Sequence, residues 1–354
     1  MQRIPPAMPL IDFAAWSLGM VVAAFLAAAL VIAVAGTHLA RRADHLADVT
    51  GLGEALFGAV LLGGITSLPG IVTSVSTAWE GFPQLSVSNA VGGIAVQTAF
   101  LAVADMAYRK VNLEHAAASL ENLMQGALLS TLLAIPILAM AGPELTLFGI
   151  HPGTFMLLAA YLFGLRVIAH AREDQLWKPK ATAETRSDVV RPERLGQRDL
   201  TTLWLVFAAL ALAVGAAGWM VAQTGIAISQ RTGLSESVVG ALLTAVATSL
   251  PELVTSVAAV RHGALTLAVG GIIGGNSFDV LFLAFSDVAY REGSIYHAVG
   301  DSQLFIMALT LLLTGILLLG LLRREKKGFA NIGFESVLVL GLYLLGFGTL
   351  FFMG

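Results

Sequence analysis

Residues 247–256 read ATSLPELVTS, and residues 65–74 read ITSLPGIVTS. In each copy a Thr-Ser pair and a proline interrupt an apolar run that is long enough to cross a membrane. Such a break leaves backbone carbonyls that lipid cannot satisfy, so it is tolerated mainly where it lines a cavity or packs inside protein. The second copy adds Glu252, and an ionisable residue at that depth indicates a functional site, most simply one that meets a cation.

The composition is typical of a polytopic membrane protein, because 57% of the residues are hydrophobic and 12% are charged, with a mean hydropathy of +0.82. About ten apolar runs are long enough to cross a hydrocarbon layer of roughly 30 Å. They lie near residues 13–38, 53–78, 85–108, 116–141, 153–171, 201–224, 234–260, 264–289, 302–322 and 332–353. The chain has no cysteine, which excludes thiolate metal ligands and thiol nucleophiles.

The repeat extends well beyond the two motifs. Thr50 to Arg109 aligns without gaps on Thr232 to Arg291, with roughly 27 of 60 positions identical. The two copies begin five spans apart, and an odd shift reverses the direction through the membrane. The sequence therefore predicts an all-α polytopic membrane protein with about ten transmembrane helices in a 5+5 inverted-topology repeat. We expect a first five-helix half over residues 1–171 with its repeat near 50–109, a linker over 172–199, and a second half over 200–354 with its repeat near 232–291.

The positions of the basic residues predict the orientation of the chain in the membrane. When loops are assigned alternately to the two sides, about 16 of the 20 basic residues fall on the side of Arg41, Arg109, Arg172 to Arg198 and Arg323 to Lys327, and about 3 on the other. This side is therefore predicted to be cytoplasmic, with both termini outside and the protein in the cell membrane. The stretch from Arg172 to Asp199 mixes both charge signs with prolines and is too short for a folded domain, which favours a linker over a regulatory ion sensor.

Two acids in the second repeat predict a cation site. Glu252 follows the break at Pro251, and Asp279 lies in the next span within GGIIGGNSFD. Proline cannot donate a hydrogen bond to the carbonyl four residues earlier, so backbone oxygens near Ala247 and Thr248 become available to a hard cation. The glycines of the next span permit close helix packing, which would bring Asp279 and Asn276 toward Glu252.

At these residues the chain resembles the calcium/cation antiporter superfamily, whose best-known members are sodium/calcium exchangers. The segments TSLPELVTS at 248–256 and GNSFD at 275–279 carry the resemblance. The resemblance implies that Thr248, Ser249, Glu252 and Asp279 are cation ligands, with Asn276 nearby. In the first repeat it extends only to Thr66 and Ser67.

The first repeat departs from the pattern of that superfamily at three positions. Gly70 stands at the position of Glu252, Ile94 at that of Asn276, and Gln97 at that of Asp279. Gln97 can still offer a carbonyl oxygen, whereas Gly70 and Ile94 offer no side-chain ligand. A site with at most two carboxylates compensates a divalent charge less well than one with three.

Four further acids, at matched positions of the two repeats, lie near predicted membrane interfaces. They are Glu54, Glu236, Asp105 and Asp287. Neighbouring hydroxyl and basic residues favour capping or ion pairing over a role in the site. Glu121 and Gln125 lie one helical turn apart in the fourth run, where they either line a pore or are solvated near its end.

These features favour a secondary antiporter that exchanges Ca²⁺, or another cation, for Na⁺ or H⁺ by alternating access of the two halves. A monovalent Na⁺/K⁺/H⁺ exchanger is the alternative within this class, because a lost carboxylate suits a smaller ionic charge. A transport-inactive membrane interaction or sensor protein is the alternative from another class. The sequence has no phosphate-binding glycine loop or nucleophile elbow, so we expect no enzyme activity and no cofactor, and transport driven by an ion gradient. The expected partners are inorganic cations and the lipid bilayer, without nucleic acid; the sequence predicts no oligomeric state.

Overall fold

The computed structural model describes residues 13–50, 64–107, 112–173, 177, 179–180, 197–326 and 333–353. These residues are almost entirely helical, with one isolated β-bridge between Leu147 and Ile150. The α-helices within them are α1 Leu18–Val31, α2 Thr37–Thr50, α3 Leu68–Trp79, α4 Pro83–Ala107, α5 Leu113–Ala117, α6 Leu120–Ala141, α7 Pro152–Glu173, α8 Gln197–Thr232, α9 Glu236–Val238, α10 Ala245–Thr248, α11 Leu250–Arg261, α12 Leu265–Asp279, α13 Leu281–Ala289, α14 Asp301–Arg323 and α15 Phe334–Leu350. Two π-helical turns, Ile32–Gly36 and Val239–Thr244, join α1 to α2 and α9 to α10.

The helices follow the apolar runs of the sequence. Among the described residues, seven helices are long and apolar enough to cross a membrane, and the bent pair Glu236–Thr248 and Leu250–Arg261 gives an eighth span. Of the two remaining predicted runs, the one near 332–353 forms the shorter apolar helix α15. The one near 53–78 lies partly outside the described residues and continues into α3. The chain is an integral membrane protein.

The helices divide into an inner and an outer group. The apolar part of α4 is 83% buried, and that of the α12–α13 pair is 72% buried, whereas the corresponding shares are 28% for α1–α2, 22% for α7 and 28% for α8. The two inner elements carry the glycine-rich segments of the two repeats. Their glycines allow the backbones of neighbouring helices to approach closely, which explains why these elements can be so deeply buried. The more exposed helices turn apolar side chains outward, as lipid contact requires.

Both repeats contain the break that the prolines predict. Ser67 (φ −86°, ψ 5°) and Ser249 (φ −97°, ψ 6°) leave the helical conformation at matched positions, directly before α3 and α11. In each case the proline occupies the first turn of the new helix, where its missing N–H would have no helical partner. The second broken span bends by 48° at this point.

Contacts between the halves are reciprocal, as a twofold axis in the plane of the membrane requires. A Cβ added at Gly36 would lie 2.5 Å from Cγ of Pro251, and one added at Gly218 would lie 2.7 Å from the carbonyl oxygen of Pro69. Gly36 and Gly218 are separated by the same offset as Thr50 and Thr232, and so are Pro69 and Pro251. Each half therefore packs a glycine of its own long helix against the proline break of the other half.

The interfacial acids form a second reciprocal set. Asp105 accepts hydrogen bonds from the backbone amides of Leu113 (2.7 Å) and Gly333 (3.1 Å). Asp287, at the matched position, accepts from the amides of Ile295 (3.0 Å) and His151 (2.8 Å). The four donors are matched pairs, so each aspartate caps the start of the last helix of the opposite half. This confirms the capping interpretation of the two aspartates.

Glu236 has a similar role at the start of α4. Its carboxylate accepts a hydrogen bond of 3.2 Å from the amide of Leu85, in the first turn of that helix. A carboxylate at a helix N-terminus satisfies a free amide and complements the helix dipole, as the capping interpretation predicts. Glu54, its matched residue, lies outside the described residues.

Candidate cation site

A small cavity lies between the two halves, where the proline breaks face the inner helices. Its volume is about 10 Å³, which is close to the least that holds one water molecule. Both repeats line it, with Ser67, Gly70, Asn89, Gly93 and Gln97 from the first and Thr248, Ser249, Glu252, Asp279 and Phe282 from the second. Six of the eight site residues expected from the sequence are in this group: Ser67, Gln97, Thr248, Ser249, Glu252 and Asp279.

Polar side chains from the two repeats meet at Asp279. The hydroxyl of Ser67 donates a hydrogen bond of 2.5 Å to Oδ1 of Asp279, and the amide of Gln97 donates one of 2.7 Å to Oδ2. The same amide lies 3.2 Å from Oγ of Ser249, to which it also donates. Gln97, Ser249, Ser67 and Asp279 are all buried. One carboxylate thus joins both proline breaks to both inner helices.

Three buried side-chain oxygens at this cavity have no hydrogen-bond partner. They are Oε2 of Glu252, Oε1 of Gln97 and Oδ1 of Asn89. A buried polar atom without a partner costs of the order of 1–3 kcal/mol, and more where it is charged. Carboxylate and amide oxygens are the ligands that hard cations prefer, so a bound cation would satisfy all three.

Backbone geometry at the second break adds oxygens of another kind. Because Pro251 has no N–H, it cannot donate the hydrogen bond that a helix would direct to the carbonyl of Ala247. The hydroxyl of Thr248 donates back to the carbonyls of Thr244 (3.0 Å) and Ala245 (3.2 Å). Its lone pairs therefore remain able to accept a cation.

The place of the missing first-repeat glutamate is filled by an aromatic ring. A Cβ added at Gly70 would lie 2.6 Å from Cε2 of Phe282 and 3.2 Å from its Cζ. Phe282 is buried and packs edge-to-face against Phe278, at a ring-centroid distance of 6.4 Å. The cavity therefore has two carboxylates, from Glu252 and Asp279, and an apolar wall where a third would stand.

Two predicted ligands lie elsewhere. Asn276 donates its amide to the carbonyl of Ile94 (3.4 Å) and the hydroxyl of Thr98 (3.1 Å), so it faces α4 and does not line the small cavity. Three residues along a helix rotate a side chain by about 60° away from Asp279, which explains this difference. Thr66 lines a separate, larger cavity, because it lies one residue before the break at Ser67.

The larger cavity, of about 340 Å³, reaches Glu252 from one end of the bundle. Its polar lining comes from Thr66, Gln125, Tyr161, Glu252, Thr255 and Ser256. Among the described residues, Glu252 is the one acid in that lining, and it also lines the small cavity, so its carboxyl stands between the two. Gln125 follows the pore-lining interpretation of the fourth run, whereas Glu121 is not part of this wall.

The matched surface of the first repeat is closed. Thr73, Ser74 and Thr77 match the region of α11 that lines the larger cavity, and all three are fully buried. The hydroxyl of Thr73 donates to the carbonyl of Gly218 (2.9 Å), and that of Ser86 donates to Oγ of Ser286 (2.9 Å). The two matched surfaces thus differ in this conformation, with a cavity on one approach to Glu252 and packed helices on the other.

Sequence reasoning missed Asn89 and Phe282 at the small cavity. Asn89 had a usable signal, because it is a polar amide within a predicted span. Phe282 had no sequence signal, since an apolar residue in an apolar helix does not reveal which residue of another helix it contacts. No group of three or more His, Asp or Glu residues that could hold a metal ion occurs in the described part of the chain, so neutral oxygens have to complete any cation site there.

Comparison with known families identifies the chain. The sequence profile of the family described as sodium/calcium exchanger protein matches residues 20–170 and 201–352. The chain belongs to this family. It is 27% identical over 287 residues to the putative antiporter CaxA of Alkalimonas amylolytica, which covers 80% of this chain and 86% of the relative. It is also 27% identical over 201 residues to the inner membrane protein YrbG of Escherichia coli (strain K12), covering 57% of this chain and 59% of that protein.

Solved structures of exchangers share the fold. The crystal structure of the H⁺/Ca²⁺ exchanger CAX superimposes with a TM-score of 0.64 at 11% identity, over 94% of this chain and 86% of that one. A structure of the sodium-calcium exchanger NCX_Mj gives a TM-score of 0.57 at 20% identity, over 94% and 99% of the two chains. The prediction of an all-α membrane protein with a 5+5 inverted repeat is therefore confirmed, and so is the superfamily.

Proposed function

We propose that this family member is a secondary antiporter that exchanges Ca²⁺, or another cation, for Na⁺ or H⁺ through the site at Glu252 and Asp279. The observation that carries the proposal is the set of three unpartnered oxygens of Glu252, Gln97 and Asn89 around one small cavity. These oxygens come from both halves, so relative movement of the halves would assemble or separate the ligands. Membership in a family of exchangers supports the same class of function.

The charge of the site favours one divalent ion over several. Two carboxylates neutralise one Ca²⁺, two Na⁺ or two H⁺, and a cavity of about 10 Å³ leaves room for one dehydrated ion. Hydroxyl, amide and backbone oxygens supply the further ligands that Ca²⁺ takes. The lost carboxylate at Gly70 is the specific observation that favours the second candidate, a monovalent Na⁺/K⁺/H⁺ exchanger.

The open and closed approaches support transport by alternating access. The larger cavity extends from Glu252 to Leu267 near the start of α12, toward the side that the basic residues predict to be cytoplasmic. The opposite approach is closed by Thr73, Ser86 and their partners. We interpret this conformation as open to the cytoplasm, with Glu252 as the first carboxylate that an entering cation meets.

The test is ion flux in proteoliposomes with gradients of Ca²⁺, Na⁺, K⁺ and H⁺ imposed in turn. We expect Ca²⁺ uptake driven by an outward Na⁺ or H⁺ gradient, and its loss in Glu252→Gln. Glu144→Gln removes an exposed carboxylate outside the site and serves as the matched control. Coupled flux of Na⁺, K⁺ or H⁺ without Ca²⁺ would establish the monovalent candidate. A folded protein without flux of any of these ions would favour the interaction or sensor candidate.

A measurement of membrane potential adds a test of the charge count. With two carboxylates and no basic residue among the described residues of the lining, both loaded forms are neutral if one divalent ion exchanges for two monovalent ions. We therefore expect Ca²⁺ exchange that a clamped membrane potential neither speeds nor slows. Transport current in the same vesicles would mean that the site carries more monovalent ions than its carboxylates balance.

A further inference from the structure

A second group of buried acids lies at the end of the bundle where α4 ends and α15 begins. Asp105, Glu114 and Glu335 are 0%, 1% and 1% exposed. Asp105 is satisfied by the two backbone amides that it caps. In contrast, Oε2 of Glu114 and both carboxyl oxygens of Glu335 have no hydrogen-bond partner. Two of the three acids are therefore not explained by capping.

The carboxyl groups of Glu114 and Glu335 lie close together beside Asp105, because the amides of Leu113 and Gly333, one and two residues before them in the chain, both donate to that aspartate. An ionised carboxylate only accepts hydrogen bonds, so two ionised groups cannot bond to each other. If one of them is protonated, its O–H can donate to the other. The contact is therefore satisfied by one shared proton and repulsive without it.

The opposite end of the molecule shows what the fold requires at these positions. Tyr296 matches Glu114, and Gly153 matches Glu335. There the Tyr296 hydroxyl lies 3.0 Å from Oγ1 of Thr154, which donates a hydrogen bond of 2.7 Å to Asp287. At that end, neutral amide and hydroxyl donors thus satisfy the single aspartate. The two additional carboxyls of the first end are not needed for capping.

No basic side chain of the described residues compensates the pair. Arg324 of the segment after α14 donates to the carbonyls of His115 and Lys180, and Nδ1 of His115 donates to the carbonyl of Arg324. Arg323 pairs with Glu325 at 3.5 Å and lies 4.7 Å above the ring of Phe334. Among the other elements packed on this group, α4 contributes Asp105, and α12 has no titratable residue before its last position, Asp279.

We propose that Glu114 and Glu335 form a proton-binding site that holds α5 and the start of α15 together while one proton is shared between the two carboxyls. Burial, together with the carboxylates of Asp105 and Glu335, raises the pKa of Glu114 well above its usual range. The N-terminus of α15 stabilises one negative charge in its first turn, but not two in contact. Loss of the proton therefore separates α15 from α4 and α5.

This site has a path to the transport helices. Asp105 lies eight residues after Gln97 on α4, about 12 Å along the same helix. Because α15 packs on α4, loosening of α15 removes support from the inner helix that carries Gln97. A rise in pH on the predicted cytoplasmic side would remove the shared proton and thereby reduce exchange.

The decisive measurement is the stability of the purified full-length protein in detergent as a function of pH, because stability does not depend on the transported ion. A group whose pKa is raised on folding binds more protons in the folded state, so it stabilises the protein at low pH and this stabilisation is lost as pH rises toward the folded pKa. One such proton changes the unfolding equilibrium about tenfold per pH unit over that range. We expect this pH dependence in the wild type, a weaker one in Glu335→Gln, in which Glu114 stays buried, and the weakest in Glu114→Gln.

Two further variants make the result decisive. Glu144→Gln, an exposed carboxylate, should keep the wild-type pH profile. The double variant Glu114→Tyr/Glu335→Gly copies the matched residues of the opposite end, so it should fold even if the single variants do not, and its stability should decline less than that of the wild type over the same range. An unchanged pH profile in any folded variant that lacks one of the two carboxyls would overturn the proposal.

Discussion

The clearest test of the central site is to return a carboxylate to position 70 while removing the ring that fills its place. Gly70→Glu alone places its Cβ 2.6 Å from Phe282, which is too close for two carbon atoms. Phe282 is held by Phe278 and cannot move away freely. We therefore combine Gly70→Glu with Phe282→Ala, which opens the volume that the new side chain needs.

The expected magnitudes follow from packing and charge. Gly70→Glu alone should lower the free energy of unfolding by about 1–3 kcal/mol through overpacking, and Phe282→Ala alone by about 3–5 kcal/mol through the cavity it leaves. The double variant should be more stable than the sum of these losses, by about 1–3 kcal/mol. At an effective dielectric constant near 20, a carboxylate about 4 Å from a cation attracts a divalent ion by about 8 kcal/mol and a monovalent ion by about 4 kcal/mol. The difference sets an upper limit of about a thousandfold gain in divalent over monovalent affinity.

The assay is calorimetric titration of Ca²⁺ and Na⁺ into wild type, both single variants and the double variant, together with thermal unfolding of each. Glu252→Gln in the double-variant background tests whether the new carboxylate and Glu252 act on the same ion. The assignment of the site is wrong if Gly70→Glu and Phe282→Ala reduce stability additively and the ratio of Ca²⁺ to Na⁺ affinity stays at its wild-type value. Position 70 would then not face the cavity.

Three further predictions test the fold. Asp287→Asn replaces a carboxylate that accepts three hydrogen bonds with an amide. It should therefore reduce the free energy of unfolding by about 2 kcal/mol, and a variant as stable as the wild type would contradict the capping role. Gly218→Ala should destabilise by about 1–3 kcal/mol, because its Cβ would lie 2.7 Å from the backbone oxygen of Pro69, whereas Gly215→Ala, with no atom within 4 Å, is the matched neutral control. Ser187→Cys, in the linker outside the described residues, should react with an impermeant thiol reagent only after the inner face is exposed, and labelling in intact cells would reverse the predicted topology.

The sequence predicts the architecture because two independent signals agree. Apolar runs set the spans, and the ungapped repeat relates them by an odd number of crossings. The breaks at Ser67 and Ser249 were also predictable, since a proline inside a span removes a helical hydrogen bond and clashes with the preceding turn. Glu252 and Asp279 could be identified from the sequence because an acid in mid-membrane has a high free-energy cost.

Side-chain direction could not be predicted in the same way. Asn276 and Asp279 are close in sequence, yet helical rotation turns Asn276 toward Thr98. The contact of Phe282 with Gly70 joins residues from different halves, and no periodicity within one span encodes it. The conformational difference between the halves was also hidden, because matched residues such as Thr73 and Thr255 have the same identity but different exposure.

The two halves retain their symmetry where the backbone requires it and lose it where protons or cations would bind. Three features match between the halves: the prolines, the close-packed glycines Gly36 and Gly218, and the capping aspartates. Each meets a packing or hydrogen-bonding requirement of the backbone that the twofold axis repeats in both halves. A bound cation needs only one set of charges, so one carboxylate at the centre can be replaced by Phe282 without loss of the fold. A proton site at one end likewise needs Glu114 and Glu335 only once, and the other end keeps Tyr296 and Gly153 in their place. Departures from internal symmetry at buried polar positions therefore distinguish residues selected for binding from residues selected for folding.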